Sequence, residues 1–353
     1  MNDSISSVPS PSRGLLRRFG SVVYWCLAWL ICAYVAAAAW AWMPGPAWLT
    51  VLAGVAVFAP AWIWGFVRTT TWRVWLGRSF IVLVLVVVSA VEPRTTLRWS
   101  ADQSHTVSAD PSGTSIAIRN VRQCRYYTPD DYDVFWQTRT IDPARIDEVW
   151  YVVEPFAPSS AAAHTFLSFG INDGKGHHRY LAVSVEIRRE LDEQFSPVAA
   201  LFRRFELIYV IADEADVIAL RAIHRQHDVF LYPVKATPEQ SRVLFLDMLD
   251  RTVSLNQKPE FYHTITNNCT TNIAMHLRRL WPNVVPRWDL RYLLPGNADG
   301  LALEHGLLDV SGNLIELRKR YNISAAARAA GDEALDFSAR IRAGLVRASS
   351  LGP

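Results

Sequence analysis

Cysteine is scarce in this sequence, with only four residues among 353. Cys26 and Cys32 lie in a long apolar stretch, which leaves Cys124 and Cys269 for the rest of the chain. Two cysteines are too few for the disulfide network that holds many small secreted domains together. A large excess of positive or negative charge is also lacking. A net charge of +3 is too small for the broad basic surface that binds nucleic acid, so we predict no nucleic-acid partner.

Charged residues are missing altogether from two long apolar stretches, residues 22–43 and 47–67. Each exceeds the roughly 20 residues that a helix needs to cross a bilayer. A third stretch, residues 74–91, contains only Arg78, which lies near its end and can reach the head groups. The sequence therefore predicts a three-helix membrane anchor over residues 22–94.

Tryptophan and arginine predict how this anchor is oriented. Nine of the 14 tryptophans precede residue 80, as expected of residues that lie at membrane interfaces. Arginines lie before the first stretch and in the loop between the second and the third. Because cytoplasmic segments carry an excess of positive charge, the N-terminus and this loop are predicted to be cytoplasmic. Residues 1–21 are then a disordered cytoplasmic N-terminus, and residues 95–353 lie outside the cytoplasm. If the third stretch does not cross, the following domain is cytoplasmic instead.

The rest of the chain has the composition of a globular domain. Residues 95–114 are polar and are predicted to be a linker, residues 115–320 a domain, and residues 321–353 a C-terminal helix or tail, with an alanine-rich surface helix at 324–345. A strong turn signal at 172–176 predicts an antiparallel hairpin. Runs with strand-like composition lie at 115–122, 149–153, 164–169, 180–187, 205–211, 217–222 and 229–234.

Two amphipathic helices follow these strands. The first opens at Thr237, which caps the helix, with Gln240 completing a capping box. The second begins near Cys269, with Asn267 or Asn268 as its N-cap. We therefore predict an α+β fold, an antiparallel sheet with helices packed on it.

Cys269 is a candidate nucleophile because of its place in the chain. The first turn of a helix offers free N–H groups and a favourable dipole, which stabilise a thiolate. Such N–H groups also stabilise an oxyanion. Asn267, Asn268 and Thr270 surround Cys269 and are predicted to serve as oxyanion or capping residues.

His164 is the candidate base, because a thiol nucleophile needs a base and a group that orients it. In a hairpin symmetric about Lys175, His164 is opposite Glu186. In one centred on Gly174, it is opposite Ser184. Either register places a polar side chain beside the imidazole, and we favour Glu186. A histidine strand, a polar strand and then a cysteine helix resemble a papain-like domain read in permuted order.

Other interpretations of these residues stay open. A lone cysteine is most often a small buried apolar side chain, and a further alternative for Cys269 is a disulfide with Cys124. His263 lies near Cys269 and is a rival base. His224 and His227 are loosely spaced like metal ligands, but no second ligand set accompanies them, so we predict no metal and no cofactor. The acidic run at 213–216 is predicted to be a solvated turn.

Several short motifs, taken in order, resemble one known family. The family is the Lnb N-terminal periplasmic domain, and the resemblance covers roughly residues 115–310. The motifs are His164-Thr165-Phe166-Leu167-Ser168-Phe169-Gly170, Ser184-Val185-Glu186-Ile187-Arg188, Glu206-Leu207-Ile208-Tyr209-Val210, Asp216-Val217-Ile218, Pro259-Glu260-Phe261-Tyr262 with Asn267-Asn268-Cys269-Thr270, and Leu293-Leu294-Pro295-Gly296.

The resemblance implies a function and a location. Lnb is a bacterial lipoprotein N-acyltransferase with a Cys–His site, and His164 and Cys269 stand at those positions here. We therefore expect a multi-pass protein of the bacterial inner membrane, with a periplasmic thiol acyltransferase domain that forms a thioester. Its partners would be the membrane and a phospholipid or lipoprotein substrate. In Lnb itself the domain precedes the membrane helices, which leaves the substrate open. The alternatives are an NlpC-type cysteine peptidase or amidase of the cell wall, and a non-catalytic membrane-tethered binding module.

Overall fold

The computed structural model describes residues 90–94, 97–157, 161–191 and 193–351. The predicted N-terminus and all but the end of the predicted anchor lie outside these residues. No helix in the described part of the chain is long and apolar enough to cross a membrane. The chain divides into two compact units, residues 1–92 with 196–204 and residues 93–195 with 205–353. In the first unit, Ala199–Phe202 form a 3-10 turn.

The second unit is built on one sheet. Its strand order is β1-β2-β7-β6-β5-β4-β8, and β3, which is not part of this order, also pairs with β2. All pairings are antiparallel except β2 with β7, so the sheet is mixed. Within the described residues the eight strands are β1 (Ser108–Ser112), β2 (Ser115–Tyr126), β3 (Tyr132–Ile141), β4 (Ile146–Pro155), β5 (Ala163–Asn172), β6 (His178–Arg188), β7 (Glu206–Asp213) and β8 (Phe230–Pro233).

Helices cover both faces of the sheet, because the central strands are apolar on both sides. The first face packs against α2 to α5 and the second against α1, α6 and α7. The predicted α+β class is thus confirmed. The helices are α1 (Glu214–Ala219), α2 (Pro238–Gln257), α3 (Cys269–Leu280), α4 (Ala298–Glu304), α5 (Leu314–Arg320), α6 (Ser324–Ala330) and α7 (Phe337–Arg342).

Local sequence signals explain where the main elements begin. Thr237 caps α2, and its side chain and that of Gln240 form the predicted capping box. The β5–β6 hairpin forms as predicted, with Phe166 opposite Ser184 and Asn172 opposite His178. This register is the one symmetric about Lys175, in which His164 is in line with Glu186.

Two predictions between residues 213 and 222 are wrong. Residues 217–222 belong to α1 and to the π-helical turn that follows it, not to a strand. The acidic run at 213–216 is not a solvated turn, because Glu214 and Asp216 are buried. Glu214 pairs with Arg342 at 2.5 Å, and Asp216 receives hydrogen bonds from Arg122 at 2.9 and 3.0 Å. These arginines are far from the carboxylates in the sequence. Their positive charges offset the free-energy cost of removing the carboxylates from water.

Three further segments differ from expectation. The predicted linker at 95–114 contains β1 and a 3-10 turn, Ala101–Gln103, in which Asp102 is buried beside Arg122 at 3.6 Å. Strand β3 was not predicted; most of its residues are half-buried or exposed, so it lacks a clear apolar signal. Residues 324–345 form two short helices, and their buried Phe337 joins the core on the second face.

Replacement of Arg122 by methionine tests the buried ion pair. Arg122→Met leaves Asp216 buried without its main partner, so we expect the free energy of unfolding to fall by roughly 3–5 kcal/mol. Arg119→Met is the matched control on the same strand, since its pair with Asp110 is exposed and contributes about 1 kcal/mol or less. Thermal unfolding of the full chain in detergent, followed by near-UV circular dichroism, measures both. Equal midpoints for the two variants would contradict this account.

Candidate active site

Cys269 is the first residue of α3, and its side chain is buried. Asn268, one of the two predicted caps, is the N-cap. Its side-chain oxygen accepts a hydrogen bond from the Thr271 N–H at 2.8 Å, and the Thr271 hydroxyl accepts one from the Asn268 N–H at 2.8 Å. The thiol therefore lies beside the free N–H groups of a well-capped helix start, which favour a thiolate.

The amide groups of Asn267 and Asn268 are used to hold the chain around Cys269. Asn268 donates to the carbonyl oxygens of Thr264 and Tyr292, at 2.6 and 2.9 Å. Asn267 donates to the Phe261 carbonyl at 2.9 Å. Its oxygen accepts from Asn272 of α3 at 2.8 Å. These contacts brace the turn before α3 against the helix itself.

His164 is the second residue of β5, and its ring is bonded to the neighbouring strand. Nε2 lies 2.7 Å from the hydroxyl oxygen of Ser184, and that hydroxyl donates to Glu186 at 2.8 Å. The same nitrogen is 3.9 Å from the Glu186 carboxylate. Of the two predicted partners, Ser184 therefore contacts the ring, and Glu186 acts on it through Ser184. The ring also stacks on Phe166, with centroids 5.7 Å apart.

These contacts determine which ring nitrogen carries the proton. Burial raises the pKa of Glu186, but the charges of Arg122 and Arg221 and the hydrogen bond from Ser184 hold it well below its usual range. The carboxylate is therefore ionised and can only accept hydrogen bonds. Ser184 has one proton, which it gives to Glu186, so its oxygen accepts from Nε2–H of His164. Nδ1 of the neutral ring then keeps its lone pair.

Two arginines that the sequence did not suggest support Glu186. Arg221 lies 3.2 Å from the Glu186 carboxylate and 2.7 Å from that of Glu154, which is fully buried. Arg122 adds its positive charge from β2. Residues near position 221 were predicted to form a strand, and no local pattern indicates that their charges face the site.

The thiol of Cys269 is acidic for a buried cysteine. Burial raises its pKa, whereas the hydrogen bond and charge of His164 lower it, as do the N–H and hydroxyl of Thr165. The lowering effects prevail, and the pKa falls from 9.0 to about 7. Because Nε2 of His164 is bonded to Ser184, the nitrogen available to the sulfur is Nδ1. A substantial fraction of the sulfur is therefore ionised at neutral pH.

Thr270 and Tyr262 complete the surroundings of the sulfur. The Thr270 hydroxyl is 3.8 Å from the sulfur and 3.1 Å from the hydroxyl of Thr165. Burial and the nearby Cys269 raise the pKa of Tyr262, whereas a hydrogen bond from the Cys269 backbone lowers it. The phenol oxygen of Tyr262 thus lies at the N–H of the nucleophile. Tyr262 is part of a motif in the family resemblance, but no role was assigned to it from the sequence.

The other residues that the sequence suggested for the site are bonded to groups outside it or carry a free thiol. Both described cysteines carry free thiols, so Cys124 and Cys269 are not joined. His263 accepts hydrogen bonds within its own turn. His224 pairs with Asp332 at 3.0 Å and His227 with Glu154 at 2.8 Å. No cluster of three or more His, Cys, Asp or Glu able to hold a metal occurs in the described part of the chain.

Removal of the imidazole should raise the pKa of the thiol. In His164→Ala, burial still disfavours the thiolate while the strongest opposing contribution is lost, so we expect the pKa to rise from about 7 towards or above 9.0. Below this new pKa the alkylation rate of Cys269 should fall. The pH dependence of alkylation, read by mass spectrometry of the Cys269 peptide, measures both values.

His178→Ala is the control for this experiment. His178 lies on the same hairpin but pairs with Asp147, so its loss should leave the thiol pKa unchanged. A wild-type thiol that ionises near pH 9.0, the ordinary value, would contradict the proposed interaction with His164.

A known family model matches part of the chain. Residues 132–296 match the Lnb N-terminal periplasmic domain, which confirms the resemblance drawn from the motifs. The matched segment contains His164, Ser184, Glu186 and Cys269. No curated protein matches the chain, and no solved structure matches it. Residues 132–296 of this chain, a little under half of its length, are therefore similar to the Lnb N-terminal periplasmic domain.

Proposed function

We propose that this protein is a membrane-anchored thiol acyltransferase that moves an acyl chain through a thioester on Cys269. One observation carries the proposal: a chain of contacts leads from an acidic thiol through His164 and Ser184 to an ionised Glu186. This arrangement provides a nucleophile, a base and a group that orients the base. It also explains why a buried thiol has a lowered pKa.

In the first half-reaction, Nδ1 of His164 takes the thiol proton and the sulfur attacks the carbonyl carbon of an ester. The C–S bond forms, the C–O bond breaks, and the leaving alcohol takes the proton back from His164. The developing oxyanion is stabilised by the hydroxyl of Tyr262, whose oxygen accepts the hydrogen bond from the Cys269 N–H and whose own proton is left to donate. Asn267 and Asn268 act indirectly, by holding the turn that positions this N–H.

In the second half-reaction, an amine attacks the thioester. The C–N bond forms as the C–S bond breaks, and the amine proton passes through His164 to the departing sulfur. Ser184 and Glu186 stabilise the imidazolium in both steps, because Nε2–H remains bonded to the serine oxygen. The products are an amide and the free thiol.

The family resemblance and the sequence support a substrate class and a location for this protein. The Lnb family supports a periplasmic position for the domain. The apolar stretches before residue 95 support a multi-pass anchor in the inner membrane, and the family resemblance favours a phospholipid or lipoprotein acyl donor. A cell-wall peptidase or amidase of the NlpC type would use the same thiol chemistry. The reaction product separates the two: an acylated lipoprotein N-terminus or a released cell-wall peptide.

Replacement of the nucleophile is the main test. Wild-type protein incubated with a phospholipid should gain one acyl chain on the Cys269 peptide, in a bond that hydroxylamine cleaves. Cys269→Ser should lose both the adduct and acyl transfer to a lipoprotein acceptor. Cys124→Ser is the control and should keep both, because burial and the charge of Asp216 raise the pKa of the Cys124 thiol. Full transfer activity in Cys269→Ser would exclude the proposal.

Replacement of the serine tests how His164 is oriented. Ser184→Ala removes the hydrogen bond to the ring, worth about 1 kcal/mol, so we expect kcat to fall about fivefold with little change in KM. Ser168→Ala is the matched control, a buried serine of the same sheet face that bonds Glu214 instead. Steady-state transfer kinetics measure both variants. If the two variants lose activity equally, Ser184 has no specific role.

A further inference from the structure

A buried polar cluster lies on the first face of the sheet, and no step of the proposed reaction uses it. Its centre is formed by Tyr209 of β7 with Asn272 and His276 of α3, and all three side chains are buried. Polar groups removed from water are costly unless they are hydrogen-bonded, and a network whose bonds are all made fixes a single arrangement. The hydrogen bonds of this cluster therefore show which part of the chain it holds in place.

Asn272 connects the cluster to the turn before Cys269. Its amide nitrogen donates to the side-chain oxygen of Asn267 at 2.8 Å and to the carbonyl oxygen of Asn268 at 2.9 Å. Its amide oxygen accepts from the hydroxyl of Tyr209 at 2.9 Å. With two acceptors on one side and a donor on the other, only one orientation of the amide satisfies every contact. Through this amide, Tyr209 holds both residues that precede Cys269.

The phenol of Tyr209 is itself fixed from two sides. Nε2 of His276 lies 3.0 Å from the phenol oxygen, and Nδ1 of the same ring is 2.6 Å from the carboxylate of Asp247 on α2. The rings of Tyr209 and His276 meet edge to face, with centroids 5.9 Å apart. Burial raises the pKa of Tyr209, although the charge of Arg251 lowers it, so the phenol keeps its proton at neutral pH and can donate it.

Helix α2 reaches the same turn by a second route. Arg251 donates two hydrogen bonds to the carboxylate of Glu260, at 2.8 and 2.6 Å. The Glu260 carboxylate also accepts from the Asn267 amide at 3.3 Å. Because Asp247 and Arg251 are four residues apart, they lie on one face of α2. The turn at 267–268 is therefore held from one helix through Tyr209 and through Glu260.

We propose that Tyr209 is a positioning residue for the reaction at Cys269: through Asn272 it fixes the turn that aims the Cys269 backbone N–H at Tyr262. The inference rests on the proposed thioester chemistry, in which the Tyr262 hydroxyl stabilises the oxyanion. The Cys269 N–H bonds the oxygen of Tyr262, so a shift of the turn also moves the hydroxyl that must reach the oxyanion. That charge develops only in the transition state, so the effect falls on kcat and not on KM.

Removal of the phenol hydroxyl tests the proposal. Tyr209→Phe keeps the ring and loses only the hydrogen bonds of the hydroxyl. With the full chain in detergent, we expect kcat for acyl transfer from a phospholipid to fall about fivefold, with KM within about twofold. The rate at which iodoacetamide alkylates Cys269 should stay within about twofold, because alkylation forms no oxyanion. Tyr321→Phe is the matched control, a buried tyrosine of the same sheet face whose hydroxyl bonds the Val346 carbonyl, and it should change neither rate.

A double-mutant cycle tests whether Tyr209 acts through Asn272. Asn272→Ala removes the connection to the turn, so we expect kcat to fall at least about fivefold. Adding Tyr209→Phe to this variant should lower kcat by less than about twofold more, because the hydroxyl then has no amide to hold. Two residues that act independently would instead multiply their losses, to about 25-fold or more.

Three results would overturn the inference. The first is an unchanged kcat in Tyr209→Phe, and the second is an equal loss of kcat and of the alkylation rate. The third is a double variant whose losses multiply. Near-UV circular dichroism at the assay temperature checks the folding of each variant; if Asn272→Ala does not fold, Tyr209→Phe and its alkylation rate decide alone. If the wild type forms no thioester with the phospholipid, the proposed function fails, whereas a wild-type thioester with an unaffected Tyr209→Phe removes only the positioning role.

Discussion

The antiparallel register of β5 and β6 is the constraint on which the rest of the site depends. Because Phe166 is opposite Ser184, the side chains of His164, Ser184 and Glu186 lie on one face of the hairpin and connect in sequence. A slip of one residue would turn the serine and the carboxylate to the other face. The register fixes the proton on Nε2 of the ring and leaves Nδ1 for the sulfur, so the acidity of Cys269 follows from strand pairing.

Buried charge maintains this arrangement. A carboxylate removed from water normally becomes neutral, and a neutral Glu186 would no longer require the serine proton. Arg221 and Arg122 prevent this by holding the pKa of Glu186 low. The two arginines are themselves balanced by Glu154 and Asp216, which are buried as well. The buried ion pairs on the second face of the sheet thus keep Glu186 ionised, and Glu186 in turn supports His164.

The first face of the sheet supplies the other half of the site. The capped start of α3 places the thiol and its backbone N–H next to Tyr262. The same helix lines an apolar cavity together with Val285 and Pro286 of the loop that follows it, and Trp288 of that loop is exposed. Cys269 thereby has the polar residues His164, Ser184 and Glu186 on one side, and α3 lines an apolar cavity on the first face of the sheet.

Local patterns in the sequence determined the hairpin and the capping box at Thr237, and they narrowed the N-cap of α3 to Asn267 or Asn268, because strand alternation, turns and helix caps depend on neighbouring residues. They also narrowed the partner of His164 to Ser184 or Glu186. Only the tertiary structure decided that the serine lies between the ring and the carboxylate. It also brought in Arg221 and Arg122, and turned an apparently solvated acidic run into a buried one. These contacts join residues far apart in the chain, and no local pattern records the long-range ion pairs that make a buried charge stable.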